Sequence, residues 1–389
     1  MKHHYQTNKA IRPLAPWAQS RWIATTLLGA VFALGLFATS ALAEPYIAIR
    51  EGYKCSQCHF NKTGGGKRND FANTYVQTRL ASEVVQWQPE AERVETAVPN
   101  IYHGRLNDFF SVGADMRFAY KHVEVPNAES AETDMSTESA LIYFQMDMVP
   151  DRASLYLDQT VKGAANTREM FMLFDNLPLS SYVKVGKFFL VSGFRLQDDT
   201  AFVRAKSGFT YGNPDDGIEM GIEPGPLSFQ LWQTSKNDKG GIMGQYVSRF
   251  WRAGGSYNRD TTDDNNKKNV MNYFAGGHMG RFTLLYEVDK IGYQDVANRK
   301  LVDQEAGLLE GNMMIRKGHN LKLSYEWFDE NLDSAADSPD IVSRTSIVYE
   351  PFMNQFLQVR TGYRMYEGQS NNDLENRTEM FAELHGIFY

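Results

Sequence analysis

Cys55 and Cys58 are the two cysteines of a 389-residue chain, and His59 follows the second directly, in the stretch YKCSQCHFNKTGGG. At this spacing two thiols can add to the two vinyl groups of one haem while the adjacent imidazole ligates its iron, and Cys-x-x-Cys-His is the sequence form of c-type haem attachment. The pattern predicts one covalent haem c, with Cys55 and Cys58 as thioether anchors and His59 as the proximal ligand. Three other uses of the same residues compete. A structural zinc site needs four ligands and would have to recruit scattered histidines. A thioredoxin-like pair wants a βαβ surround that this sequence lacks, and a disulfide between residues three apart has poor geometry.

Haem iron usually takes a second axial ligand, most often histidine or methionine. Between His59 and His103 the chain has neither. His103 is therefore the first candidate for the distal position and enters the expected metal set beside His59. Met116, His122, Lys62, Lys67 or an open site are the alternatives.

The elements that must hold this group begin with an export leader. Residues 1–43 carry Lys2, Lys9, Arg12 and Arg21, an apolar run from about Trp22 to Phe37, and Ala41-Leu42-Ala43 as a small-residue cleavage site. Cleavage there leaves a mature chain starting at Glu44, outside the cytoplasm. It also removes four basic residues and no acidic one, taking the formal charge from −7 to −11. Such a balance argues against nucleic acid as a partner. Residues 44–106 then form the haem-bearing segment, too short to bury much apolar surface without a cofactor or staple. Within it Asn69 is placed to cap a short helix whose Phe71, Tyr75, Leu80 and Val84 recur at near-helical spacing, a natural cover for one haem face or for a barrel mouth.

From Phe109 onward the period changes to two. In DFFSVGADMRFAY one face holds Phe110, Val112, Ala114, Met116, Phe118 and Tyr120, the other Ser111, Gly113, Asp115 and Arg117. Leu321, Leu323, Tyr325 and Trp327 oppose Lys322, Ser324 and Glu326 in the same way, and Leu357, Val359, Tyr363 and Met365 oppose Gln358, Arg360, Gly362 and Arg364. A polar face with charge of both signs suits a water-filled lumen, and an apolar face ending in aromatics suits lipid. No apolar run past the leader is long enough for a membrane helix.

Short turns are expected at Pro150-Asp151, Leu177-Pro178, Pro224-Gly225-Pro226, Phe250-Trp251, Met279-Gly280, Lys317-Gly318 and Pro351-Phe352. Longer polar stretches lie between them at 122–137, 189–214, 259–269, 291–302, 330–340 and 367–376. Short periplasmic turns alternating with long outer loops are the rule in bacterial outer-membrane barrels. Residues 107–389 are thus expected to form an all-β, 16-stranded antiparallel transmembrane β-barrel, closing on the aromatic-ended strand FAELHGIFY.

Leader, single haem motif and sixteen-stranded pore together resemble the fused outer-membrane cytochrome-porins of iron(II)-oxidising bacteria and their relatives. The haem segment of that family has the form A-x-P-x-F-A-R-Q-T-G-x-x-C-x-x-C-H-x-x-x-P. This chain matches at Ala43, Pro45, Ala48, Gly52, Cys55, Cys58 and His59, and departs at Ile47, Ile49, Arg50, Glu51 and Thr63. The resemblance implies an outer-membrane electron conduit in which extracellular Fe(II), or another redox partner, exchanges single electrons through the haem with a periplasmic c-type cytochrome. On this reading the chain is an electron-transfer protein or iron(II) oxidase, with its haem segment at the periplasmic side or inside the pore. A transport porin carrying a haem-bearing plug or redox-sensitive gate is the alternative. Asp198-Asp199, Asp215-Asp216 and Asp263-Asp264 in the outer loops offer carboxylates for hard cations, or simply solvated loop surface. No catalytic triad, phosphate loop or zinc-protease motif is present in the sequence.

Overall fold

A computed structural model describes residues 44–85, 101–163, 166–235, 239–263, 266–295, 300–332 and 341–389; the leader expected over 1–43 lies outside these. Sixteen antiparallel strands close into a barrel, each paired with its neighbours in sequence and β1 sealed against β16. The first half comprises β1 (Phe110–Glu124), β2 (Glu132–Val149), β3 (Ala153–Thr160), β4 (Asn166–Leu177), β5 (Ser181–Phe189), β6 (Pro214–Ile222), β7 (Leu227–Thr234) and β8 (Gly240–Val247). The second comprises β9 (Trp251–Asp263), β10 (Asn266–Met279), β11 (Phe282–Asp295), β12 (Lys300–Arg316), β13 (His319–Asp329), β14 (Ile341–Asn354), β15 (Leu357–Glu367) and β16 (Thr378–Phe388).

The period-two pattern sets which side faces in. On β1, Phe110 and Phe118 are 44% and 47% exposed while Asp115 is 1% exposed. Leu323 and Tyr325 likewise point outward, with Lys322 and Glu326 inside. This inverts a soluble protein: the apolar side chains form the outer belt, and charged ones fill the lumen as paired ions. Lys322 Nζ lies 3.2 Å from Glu350, Arg360 Nε 3.2 Å from the same carboxylate, and Arg360 Nη1 3.2 Å from Glu383. On the closing seam His385 Nε2 is 2.6 Å from Asp115.

Six of the seven expected turns fall in place. The seventh moves: Pro351 is still within β14, opposite His319, and the chain turns at 355–356. Proline is tolerated there because the ladder to β15 passes from Tyr349↔Thr361 to Phe352↔Gln358, so no hydrogen bond is asked of the missing N–H. Strands β1 and β2 also extend outward beyond the expected 122–137 loop, leaving only 125–131 between them.

Residues 44–85 fold into the lumen at its short-turn end. They form α1 (Pro45–Glu51), a single turn α2 (Cys55–Cys58), and α3 (Asp70–Tyr75), which runs into a π-helical turn at Val76–Leu80. Lys54 Nζ donates to the Glu223 and Leu227 carbonyls in the β6–β7 turn, and Ser82 N–H donates to Phe352 O at 2.9 Å. Deeper in, Asn61 Nδ2 donates to Glu169 at 2.7 Å and Lys67 N–H to the Tyr156 hydroxyl at 2.9 Å. From the long-loop end the β5–β6 connection, 190–213, folds inward around the one-turn helix α4 (Phe202–Ala205). Its Phe194 and Phe202 amides donate to Glu287 and Glu326 on the wall, at 2.9 and 2.8 Å. An apolar core of Tyr46, Ile49, Val191, Phe194, Leu196 and Phe274 lies inside the barrel where segment, loop and wall meet.

Candidate cofactor site

α1 ends where Gly52 adopts φ +70 and its N–H turns back to Ala48 and Ile49. A Cβ there would sit 2.9 Å from Arg249 Cα, so only glycine lets the chain pass this close to the β8–β9 turn. The next turn is α2, opened by Lys54 N–H donating to Gln57 Oε1 at 2.8 Å and closed by His59 N–H donating to Cys55 O at 2.9 Å. A spacing of three on one helical turn puts both thiols on one side, with the imidazole just beyond. Both cysteines are free thiols.

The following loop is closed by Phe60 N–H to Lys67 O at 3.0 Å and Asn69 N–H to Cys58 O at 3.1 Å. The TGGG stretch is a defined turn: Gly64, Gly65 and Gly66 all have positive φ, at +91, +83 and +63. A Cβ on Gly66 would collide with the Tyr156 hydroxyl, and one on Gly64 would touch Cys55 Sγ at 3.4 Å. Asn69 caps α3 as expected, accepting from Ala72 N–H at 3.0 Å. The buried stripe of that helix differs from the expected one: Ala72, Val76 and Leu80 face inward, Phe71 is exposed, and Val84 lies past the helix. Ala72, Val76 and Leu80 recur every four residues, so spacing offers a second, adjacent helical face, and the packing inside the barrel selects it.

Cys55, Cys58 and His59 line one cavity between the segment, the infolded loop and the wall. Ile47, Ala72, Val76 and Leu80 bound it from the segment, Val191, Phe194 and Tyr211 from the infolded loop, and Gln230, Met243, Gln245 and Phe274 from the wall. His59 is buried, and burial, assisted by the Arg68 charge, pushes its pKa down to about 3, so the imidazole is neutral and able to ligate. Its Nδ1 has no hydrogen-bond partner. Partial burial and the neighbouring Cys55 push the Cys58 thiol up to about 12.

Three arginines also line the cavity: Arg68, Arg195 and Arg252. Arg68 is 4% exposed, and none of its three guanidinium nitrogens has a partner. Arg195 Nη1 and Arg252 Nε are buried without partners as well, although Arg252 also donates to Tyr53 O. An uncompensated buried cation is costly by several kcal/mol, so the site asks for an anion. Apolar walls, a neutral imidazole beside two thiols on one turn, the unpartnered Arg68 guanidinium and the free nitrogens of Arg195 and Arg252 fit a flat apolar ring that carries carboxylates at its edge, as haem does. Among the described residues no three His, Cys, Asp or Glu side chains converge as they would on a bare metal ion, which disfavours the zinc alternative.

His103 is not brought to this cavity. Its Nδ1 lies 3.6 Å from Asp70, in a partly exposed cluster with Arg105. Met116 is on the outward parity of β1, and His122 bonds Thr133 at 2.9 Å near the long-loop end. Lys62 lines the cavity but is ion-paired to Asp175, and Lys67 Nζ turns to Arg68 O and Gln145. The acidic loop residues are also engaged. Asp198 pairs with Arg344 and Arg364 at 3.2 and 2.7 Å, Asp199 accepts from Tyr211 N–H at 2.8 Å, and Asp215 lies 3.6 Å from Lys239. The Asp263 side chain and Asp264 lie outside the described residues. Sequence reasoning missed the arginines, Met243 and the loop wall; the available signal was apolar Val191, Phe194 and Leu196 inside a supposed outer loop.

No protein-family model and no curated protein matches the chain. Solved structures of similar shape are outer-membrane barrels. A loop-deletion form of OmpT from Vibrio cholerae matches with TM-score 0.57 at 12% identity, over 72% of this chain and 100% of the other. An anion-selective porin from Comamonas acidovorans matches at 0.58 and 10%, over 72% and 99%, and OmpF of Salmonella typhi in complex with daunomycin at 0.58 and 12%, over 73% and 99%. At these identities the likeness is one of fold, and the fold is that of the outer-membrane porins.

Proposed function

We propose that the protein is an outer-membrane electron conduit, a haem c fused to and enclosed by a porin-like barrel. The observation that carries this reading is the cavity in which Cys55, Cys58 and His59 meet three arginines with unpartnered nitrogens. Cys55 and Cys58 would hold the ring covalently, His59 would ligate its iron, and Arg68 with Arg195 or Arg252 would neutralise its carboxylates. A haem held there takes up and releases single electrons at its iron. Val76, Leu80, Phe194 and Phe274 give the cavity apolar walls, and the outward belt of β1–β16 suits insertion in lipid. The infolded loop faces the long-loop side and the helical segment the short-turn side. An extracellular one-electron donor, Fe(II) on the family resemblance, would thus be served at one end and a periplasmic c-type cytochrome at the other.

The test is haem staining of the mature protein after denaturing electrophoresis, expressed with working attachment machinery. Wild type should stain, and Cys55→Ser with Cys58→Ser should abolish covalent staining while the barrel still folds. An unstained wild-type band would overturn the reading.

A further inference from the structure

We propose that Met243, on the wall of the barrel, is the distal axial ligand to the haem iron; this inference rests on the haem reading above. β8 reads GGIMGQYV, and its alternation turns Ile242 and Tyr246 outward and Met243 and Gln245 into the lumen. Its cross-strand partners are Gln230 and Ser256, so a thioether stands on an otherwise polar stretch of wall. Methionines elsewhere on the strands, such as Met170, Met220, Met271 and Met365, are exposed on the outer belt. Among the described residues Met243 is the one buried methionine, 7% exposed, and it lines the cavity that holds His59.

The other donor side chains around the cavity are committed or unsuited. Lys54 Nζ is held by two turn carbonyls and Lys62 by Asp175. Tyr75 donates its hydroxyl to Glu51 at 2.9 Å. Phenols ligate as phenolates, and burial shifts Tyr53, Tyr75 and Tyr211 away from that form. His59 is the single histidine in the lining, and after it Met243 is the one remaining side chain of a usual axial type. With the cysteines and His59 on the plug and Met243 on the wall, the cofactor would tie one to the other. A thioether ligand also raises the potential relative to a second imidazole, which suits a haem that takes electrons from a donor as weak as Fe(II).

The experiment uses the full mature holoprotein in detergent. Ferric wild type should be low-spin and show the thioether-to-iron charge-transfer band. Met243→Leu should keep its covalent haem stain, lose that band and become high-spin. Met243→His should return to a low-spin spectrum, without the band and at a lower potential. A Met243→Leu protein with attached haem and an unchanged band would overturn the inference. So would a wild type whose attached, low-spin ferric haem has no such band, which decides the matter even if the variants do not assemble. A wild type that takes no covalent stain fails the haem reading itself, and the two failures are distinguished by the stain.

Discussion

Arg68 concentrates the residue-scale argument. A guanidinium 4% exposed, with no partner on any nitrogen, is not left that way by packing alone, and burial already lowers its pKa. If its counter-ion is a haem carboxylate, its charge also destabilises the oxidised iron. Arg68→Gln keeps the size and removes the charge, so the haem should become harder to reduce. We expect spectroelectrochemical titration to find the potential lowered by on the order of 59 mV, the one-electron equivalent of tenfold. Gly66 makes a second residue-scale case. Its φ of +63 and the Tyr156 hydroxyl at its Cβ position leave no room for a side chain. Gly66→Ala should cost about 1–2 kcal/mol in backbone strain alone, read as a lower melting temperature of the folded barrel.

At the scale of elements, the infolded loop 190–213 is the part that closes the cavity from the long-loop side, and Asp198 is its main anchor. Burial would raise that carboxyl, but Arg364 and Arg344 outweigh it and hold it well below the usual carboxylate range. A depressed folded-state pKa gives stabilisation that is complete above the unfolded value of about 3.9 and is lost only as pH falls through the lower folded value. Limited proteolysis should therefore find the loop protected at neutral pH and still protected near pH 4. Asp198→Asn should loosen it at both, with a loss of about 1.5 kcal/mol from the weakened bonds to the two arginines, which keep their ion pairs with Glu326 and Glu379. Legibility in the sequence follows the physics of each element. Alternation within a strand is local, so the barrel faces could be read from Phe110, Asp115, Lys322 and Leu323. The α3 stripe could not, because two adjacent helical faces carry apolar residues and the packing inside the barrel decides which is buried. Nor could the docking of Glu44 on Lys322, a contact that joins residues far apart in sequence. Cys55, Cys58 and His59 could be singled out because a spacing of three lies within one helical turn; the arginines could not, because nothing local marks which of them face a shared cavity.

At the scale of the molecule, the barrel presents apolar side chains outward, while the lumen is occupied by the helical segment from one end and a loop from the other. Between them lies a partly apolar cavity with cationic edges. On the proposed reading this arrangement would separate electron movement from solute movement, because the helical segment and the infolded loop both occupy the lumen. A porin with an open centre would pass solutes whether or not Cys55 and Cys58 were intact. The direct measurement is vesicular. Protein is reconstituted into liposomes that hold oxidised cytochrome c and an impermeant chelator, one that keeps bound Fe(II) from being oxidised, trapped inside, and Fe(II) is supplied outside. We predict reduction of the trapped cytochrome by wild type and none by the Cys55→Ser, Cys58→Ser protein. Absence of reduction in wild type carrying attached haem, or equal reduction by both proteins, would contradict the account.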